Sequence, residues 1–274
     1  MMTIDGIDAY MAYGVTLRED GFNALASVPS FKSLPSNNWH EYDGVEVDLT
    51  APVLDSRRVV LSFNISDVRK LADLRTDLEQ GAEHTIFFSA PLRTVLKARL
   101  YSMDSLATHL RLGYFTLTLI EDTYSLVAAD LAQITPCPYV QGVSLDGHDL
   151  AEYGWLVLRG TEVTFLQWPA VKENHYTKQQ YEAGIKDYDM SHVRFAEKEA
   201  TLKVHSRASA AEFWKRHRCL FGVLTAPGVH QIRLDNLSQW HNCYYGGSSV
   251  TKFAIGADGE LWCDIDIRLR LLGA

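Results

Sequence analysis

Two short stretches hold the carboxylates best spaced to do chemistry. Residues 4–17 read IDGIDAYMAYGVTL and residues 145–158 read LDGHDLAEYGWLVL. Each opens apolar-Asp-Gly-x-Asp, so Asp5 and Asp8 flank Gly6, and Asp146 and Asp149 flank Gly147. Two nearby carboxylates could serve as general acid and base. Turn chemistry accounts for the same residues, because Asp bonds its own backbone and Gly accepts positive φ. A catalytic pair would need a site in each copy, whereas a turn needs nothing further. Asp5, Gly6, Asp8 and Gly14, with Asp146, Gly147, Asp149 and Gly154, are therefore expected to be structural turn residues.

Other chemistry is sparse. Ten histidines stand at 40, 84, 109, 148, 175, 192, 205, 217, 230 and 241, with no i, i+4 helical pair and no His-x-His. That spacing does not suggest a metal site. His84 and His230 hold equivalent places in the two stretches that follow the repeated opening, which points to a shared structural role. Cys137, Cys219, Cys243 and Cys263 are widely separated, as in buried structural thiols rather than a zinc site or a disulfide framework. There is no Gly-x-Ser-x-Gly, no His-Glu-x-x-His and no phosphate-cradling glycine loop. YYGGSS (244–249) reads as a turn between strands, and KRHR (215–218) as a solvated helix face. The chain is expected to be no enzyme, with no catalytic residue, cofactor or metal.

The elements that must position these residues also come twice. From Ile4 to Leu145 the offset is 141, and RRVVLSFNI (57–65) aligns with EATLKVHS (199–206), both with the period-2 alternation of half-buried strands. A helix follows in each half. SDVRKLADLRTDLEQG (66–81) has Ser66 as N-cap and Gly81 as stop, with Val68, Leu71, Leu74 and Leu78 on one face. SAAEFWKRHRCLFG (209–222) pairs Ser209 with Glu212 in a capping box and ends at Gly222. Strands are expected at 83–90, 96–103 and 114–122, and again at 229–236, 240–247 and 263–271. The fold class is mainly β: two tandem, similar β-sandwich or barrel domains, each with one helix and a long loop between its first strands. Copy 1 spans 1–122, an extended Pro-bearing linker 123–142, and copy 2 spans 143–274.

At 274 residues, 47% hydrophobic and 22% charged, the chain has the composition of a soluble globular protein. No apolar run is long enough for a membrane helix, and the N-terminus shows no signal peptide. Net charge is −8, with 11 basic and 18 acidic side chains in residues 1–141 and 15 and 16 in the remainder. That balance argues against a free nucleic-acid binder.

With IDGIDAYMAYGV, the strand RRVVLSFNI and the helix ending DLEQGAEHTIFF, the chain resembles the tail-tube and distal tail (baseplate hub) proteins of long-tailed bacteriophages or prophages. The likeness covers most of residues 3–122 and, more weakly, 143–272. It departs from the distal tail pattern, where a galectin-like domain follows one tube-like domain. The resemblance implies a structural tail component made in a bacterial cytoplasm and found in the virion tail. Its partners would be itself and other tail proteins, in a ring-forming homo-oligomer, trimer preferred and hexamer second. No membrane is involved, and DNA is a passing cargo. Aromatics of the loops 28–44 and 168–189 are expected at subunit interfaces: Phe31, Trp39, Tyr42, Trp168, Tyr176 and Tyr181. Two rivals are a carbohydrate- or surface-binding module using Trp39, Trp168, Trp240 and Tyr244, and an enzyme with an interdomain site.

Overall fold

The computed structural model describes residues 1–81, 83–172, 176–177, 186–187, 193–237 and 239–273. The repeated opening line makes three strands and a helical turn in the first half. β1 (Met2–Ile4) and β2 (Ile7–Asp8) form a hairpin turned at Asp5 and Gly6, with φ of 50° and 83°. Asp8 then caps α1 (Ala9–Tyr13), accepting the N–H groups of Tyr10 and Met11 at 2.9 and 3.0 Å. Gly14 closes α1 in the left-handed region and leads into β3 (Val15–Leu17) and a 3-10 helix, Glu19–Ala26.

A loop with the small pair β4 (Ser36–Asn37) and β5 (Glu46–Val47) leads to β6 (Arg57–Ile65), α2 (Leu71–Gln80) and β7 (His84–Phe88). The long strands β8 (Thr94–His109) and β9 (Leu112–Glu121) close the half. The second half runs β10 (Val143–Leu145), β11 (His148–Asp149), β12 (Leu156–Val157), α3 (Thr161–Leu166), β13 (Tyr176–Thr177) and β14 (Lys186–Asp187). It continues through β15 (Lys198–Ala208), α4 (Ala210–Leu224), β16 (His230–Leu234), β17 (Gln239–Ile255) and β18 (Leu261–Leu272).

The protein is mainly β, with two curled antiparallel seven-stranded sheets. Their orders are β2-β1-β7-β8-β9-β6-β3 and β11-β10-β16-β17-β18-β15-β12. Replacing each strand by its counterpart converts one order into the other. Even an irregularity recurs, since β8 bulges between Leu100 and Ser102 and β17 between Tyr245 and Gly247. Alternation sends Val59, Leu61, Phe63 and Ile65 inward from β6, and Leu261, Cys263, Ile265, Ile267, Leu269 and Leu271 inward from β18. Leu74 and Leu78 of α2, and Phe213, Leu220 and Phe221 of α4, are buried in the same hydrophobic cluster.

Several local expectations shift. α2 starts after a 3-10 turn (Val68–Lys70) capped by Asp67, while the Ser66 hydroxyl donates to the Gly14 carbonyl at 3.1 Å. Ser209 flanks α4 with no side-chain cap bond, and Glu212 instead accepts the Thr135 N–H at 2.8 Å. Gly222 does not end α4, which runs on to Leu224. A Cβ at 222 would stand 2.5 Å from the Ala128 Cβ, so the glycine admits the connecting segment that crosses the helix. That segment, 123–142, packs down: Ile134 is buried, and Tyr124, Leu126 and Leu131 lie against the core. Each half also carries a short helix, Glu19–Ala26 or α3, where only a loop is expected.

Candidate functional site

The repeated carboxylates hold histidines. His84 is buried, with Nδ1 2.7 Å from Asp5 Oδ2 and Nε2 3.1 Å from the Leu78 carbonyl, while the Thr85 N–H donates to Asp5 Oδ1 at 2.8 Å. In the second half His230 Nδ1 lies 2.7 Å from Asp146 Oδ2 and Nε2 3.3 Å from the Ala226 carbonyl, and the Gln231 N–H reaches Asp146 Oδ1 at 2.7 Å. A carbonyl only accepts, so Nε2 carries a proton in both rings. Burial pushes the Asp5 carboxyl up, but hydrogen bonds from His84 and Thr85 outweigh it and hold that carboxyl below its ordinary value. With both ring nitrogens engaged within the fold, neither histidine offers a free nitrogen to a substrate. Each cluster staples the opening hairpin to the end of a helix and the start of a strand.

The other expected turn residues are also occupied by backbone. Asp149 accepts the N–H groups of Gln141 and Ala151 at 3.0 and 2.8 Å through Oδ1, and that of Gly142 at 3.0 Å through Oδ2. Asp146, Gly147 and Gly154 have φ of 49°, 88° and 76°, matching Asp5, Gly6 and Gly14. YYGGSS is not a turn between strands: it lies inside β17, with Gly247 at the bulge. KRHR is not a fully solvated face either. Arg216 and His217 are buried, the first donating to the Gly154 and Thr135 carbonyls at 3.2 and 3.0 Å. Cys219, Cys243 and Cys263 are buried and Cys137 half-buried, and burial pushes each thiol up. Among the described residues no group of three or more His, Cys, Asp or Glu could hold a metal ion.

The most elaborate polar arrangement lies where the two halves meet. The 3-10 helix Glu19–Ala26 and residues 27–31 fill the groove between α4 and β17. Phe22 sets its ring edge-to-face against Phe253, centroids 6.2 Å apart, and Phe31 does the same to Tyr245 at 5.8 Å. Tyr245 Oη donates to the Val28 carbonyl at 2.8 Å, and Ser248 Oγ accepts the Val28 N–H at 3.1 Å. His217 Nε2 donates to the Ala26 carbonyl at 2.8 Å, and Trp214 Nε1 to that of Leu92 at 2.6 Å. From its own half, Arg57 fixes the inserted segment by donating to the Leu25 and Ser27 carbonyls at 3.1 and 3.0 Å while paired with Glu121.

A second clamp holds the loop beyond. Lys172 is buried, and its Nζ donates to the carbonyls of Trp39, Tyr42 and Gly44 at 2.7, 2.8 and 2.5 Å. The Phe195 N–H donates to Asp43 Oδ1, and the Gly44 N–H to the Phe195 carbonyl, both at 2.8 Å. Among the residues expected at subunit contacts, Phe31 is thus used within the chain. Trp39, Tyr42 and Trp168 are exposed, Trp168 beside Phe195 with centroids 6.2 Å apart. The Tyr176 backbone is in β13, while Tyr181, His175 and His192 lie outside the described residues. Sequence reasoning missed Lys172, His217 and Arg57, whose roles depend on carbonyls distant in the chain. No protein-family model matches the chain, and no curated protein matches it.

Proposed function

We propose that the chain is a structural subunit of a phage or prophage tail or baseplate that builds part of a ring or tube by self-association. One observation carries this reading: the two sheets share one strand order, so a single chain offers two equivalent positions side by side. Three such chains supply six positions, and a six-chain ring is the second choice. The duplicated Asp–His clusters support an architectural role, since both ring nitrogens of each histidine are committed to the fold. In this reading the partners are further copies and neighbouring tail proteins, and DNA passes through without specific contacts. Light scattering and electron microscopy in the presence of neighbouring tail proteins test it. A three-chain or six-chain ring is expected, and a persistent monomer or closed dimer overturns it.

A second reading, a glycan-binding module, has one observation in its favour. A cavity of about 360 Å³ beside α3 and β17 is lined by Trp168, Trp240, Asn242 and Lys198. Aromatic faces flanked by hydrogen-bonding side chains suit a sugar. Specific binding on a glycan array would promote this reading over the first.

A further inference from the structure

The two halves share a strand order, but a groove that is filled in one is open in the other. In the second half the groove between α4 and β17 takes the 3-10 helix Glu19–Ala26 and Val28, with Phe22, Leu25, Ala26 and Val28 all buried. The counterpart groove in the first half lies between α2 and β8. It is an open cavity of about 570 Å³ lined by Val68, Leu71, Leu100, Tyr101, Met103 and Leu106, among others. The correspondence is fixed by register, because the bulge after Leu100 in β8 matches the bulge after Tyr245 in β17. Tyr245 holds Val28, whereas Leu100 lines the open cavity.

The inserted element has a counterpart too. Glu19–Ala26 follows β3 and α3 follows β12, and each lies along the next long strand of its own sheet. Arg57, the first residue of β6, donates to the Leu25 and Ser27 carbonyls, and Lys198, the first residue of β15, donates to the Phe165 carbonyl at 2.5 Å. A buried cation therefore secures the C-terminal end of both short helices. α3 buries Thr161 and Phe165 in its own half, yet its far side shows Val163 at 53% and Leu166 at 59% exposure. The groove side offers Leu106 at 51% and Tyr101 at 55%. Both sides of the internal contact thus have apolar counterparts facing solvent.

We propose that the groove between α2 and β8 is a docking site for α3 of a second copy of this chain, repeating between molecules the contact made inside each. The occupant is set by equivalence. The internal contact joins a post-β3 helix to a helix–strand groove, and only α3 presents the same element with its outward face unused among the described residues. Such a contact is head-to-tail, since groove and helix are different surfaces, and successive copies then form a closed ring or an open filament. The inference rests on the ring reading above for closure but not for the contact itself.

Paired variants test it. Leu106→Asp charges the groove, and Leu166→Asp charges the helix; both positions are exposed, and circular dichroism checks that the fold is kept. Each variant alone is expected to weaken self-association at least tenfold by sedimentation. The Leu106→Asp chain retains its helix and the Leu166→Asp chain retains its groove, so an equimolar mixture forms a two-chain species and stops there. Mixing Leu106→Cys and Leu166→Cys chains under mild oxidation is expected to give a 106–166 linked peptide by mass spectrometry. A ring unaffected by either charged variant overturns this contact and leaves the ring reading standing. A 106–166 link found only in open chains supports the contact and overturns the ring. No 106–166 link at the highest soluble concentration overturns the contact, and a monomer that persists with neighbouring tail proteins present overturns the ring reading as well.

Discussion

At His84 and His230 a hydrogen-bond acceptor faces each ring nitrogen, and that decides their role. The equivalence of the two histidines is legible in the sequence, because both stand at the start of the strand after a helix. Their partners Asp5 and Asp146 are not, being distant in sequence and joined only when β1 pairs with β7 and β10 with β16. Asp5→Asn replaces the carboxylate that faces Nδ1 and accepts the Thr85 N–H, and should cost about 1–2 kcal/mol in chemical denaturation. Asp146→Asn should behave alike, and the two should add, since the clusters share no partner. His217 makes a separate prediction. Burial, and more weakly the charges of Arg57 and Arg218, push its folded value from 6.5 down to about 4. The folded ring is then neutral where the unfolded ring binds a proton. Its contribution is intact above pH 6.5 and is lost progressively as pH falls toward 4, by about 3 kcal/mol in all. His217→Gln can still donate to Ala26 and should flatten stability against pH across that window. An unchanged slope would remove His217 as its source.

At the scale of elements, periodicity found the long strands and both long helices, because each has one buried face. β6 occupies Arg57–Ile65 as its alternation predicts. β8 and β17 extend well beyond the expected strands, since bulges shift the alternation partway along. The short helices were not legible: Glu19–Ala26 is held largely by Arg57 and by the other half, and such tertiary contacts leave no local pattern. The aromatics of loop 28–44 are expected to reach a neighbouring subunit. Within the chain, Phe31 and the carbonyls of Trp39, Tyr42 and Gly44 reach the second half. Lys172→Met should therefore free the loop, leaving three carbonyls without their donor. The expected result is faster proteolysis within 33–47 and a stability loss of about 1–3 kcal/mol. Gly222→Leu should cost at least as much, because the added side chain must displace the segment at Ala128.

For the molecule as a whole, the same topology supports two different surfaces. The first sheet exposes Val60, Phe87, Val95 and Tyr101, whereas the second carries ion pairs of Arg207 with Asp258 and Glu260, and of Arg270 with Glu197 and Glu199. Duplicate folds with unlike faces are nevertheless joined by one continuous core, from Phe22 through Phe253 to Phe213, the latter two rings 5.6 Å apart. Hydrogen bonds across the junction contribute roughly 1 kcal/mol each, and edge-to-face pairs about as much. Together they amount to on the order of 5 kcal/mol, comparable to the stability of a small domain. Halves coupled that strongly cannot melt far apart. The chain should unfold in one calorimetric transition, with calorimetric and van't Hoff enthalpies in agreement. Phe22→Ala opens a cavity in the junction and removes about 3 kcal/mol or more, most of that coupling. Its melting curve should therefore broaden or divide in two, with the second-half aromatics around Trp214 responding separately from the first sheet. Two resolved transitions already in the unaltered chain would show that the halves fold independently and that the inserted helix adds little to either.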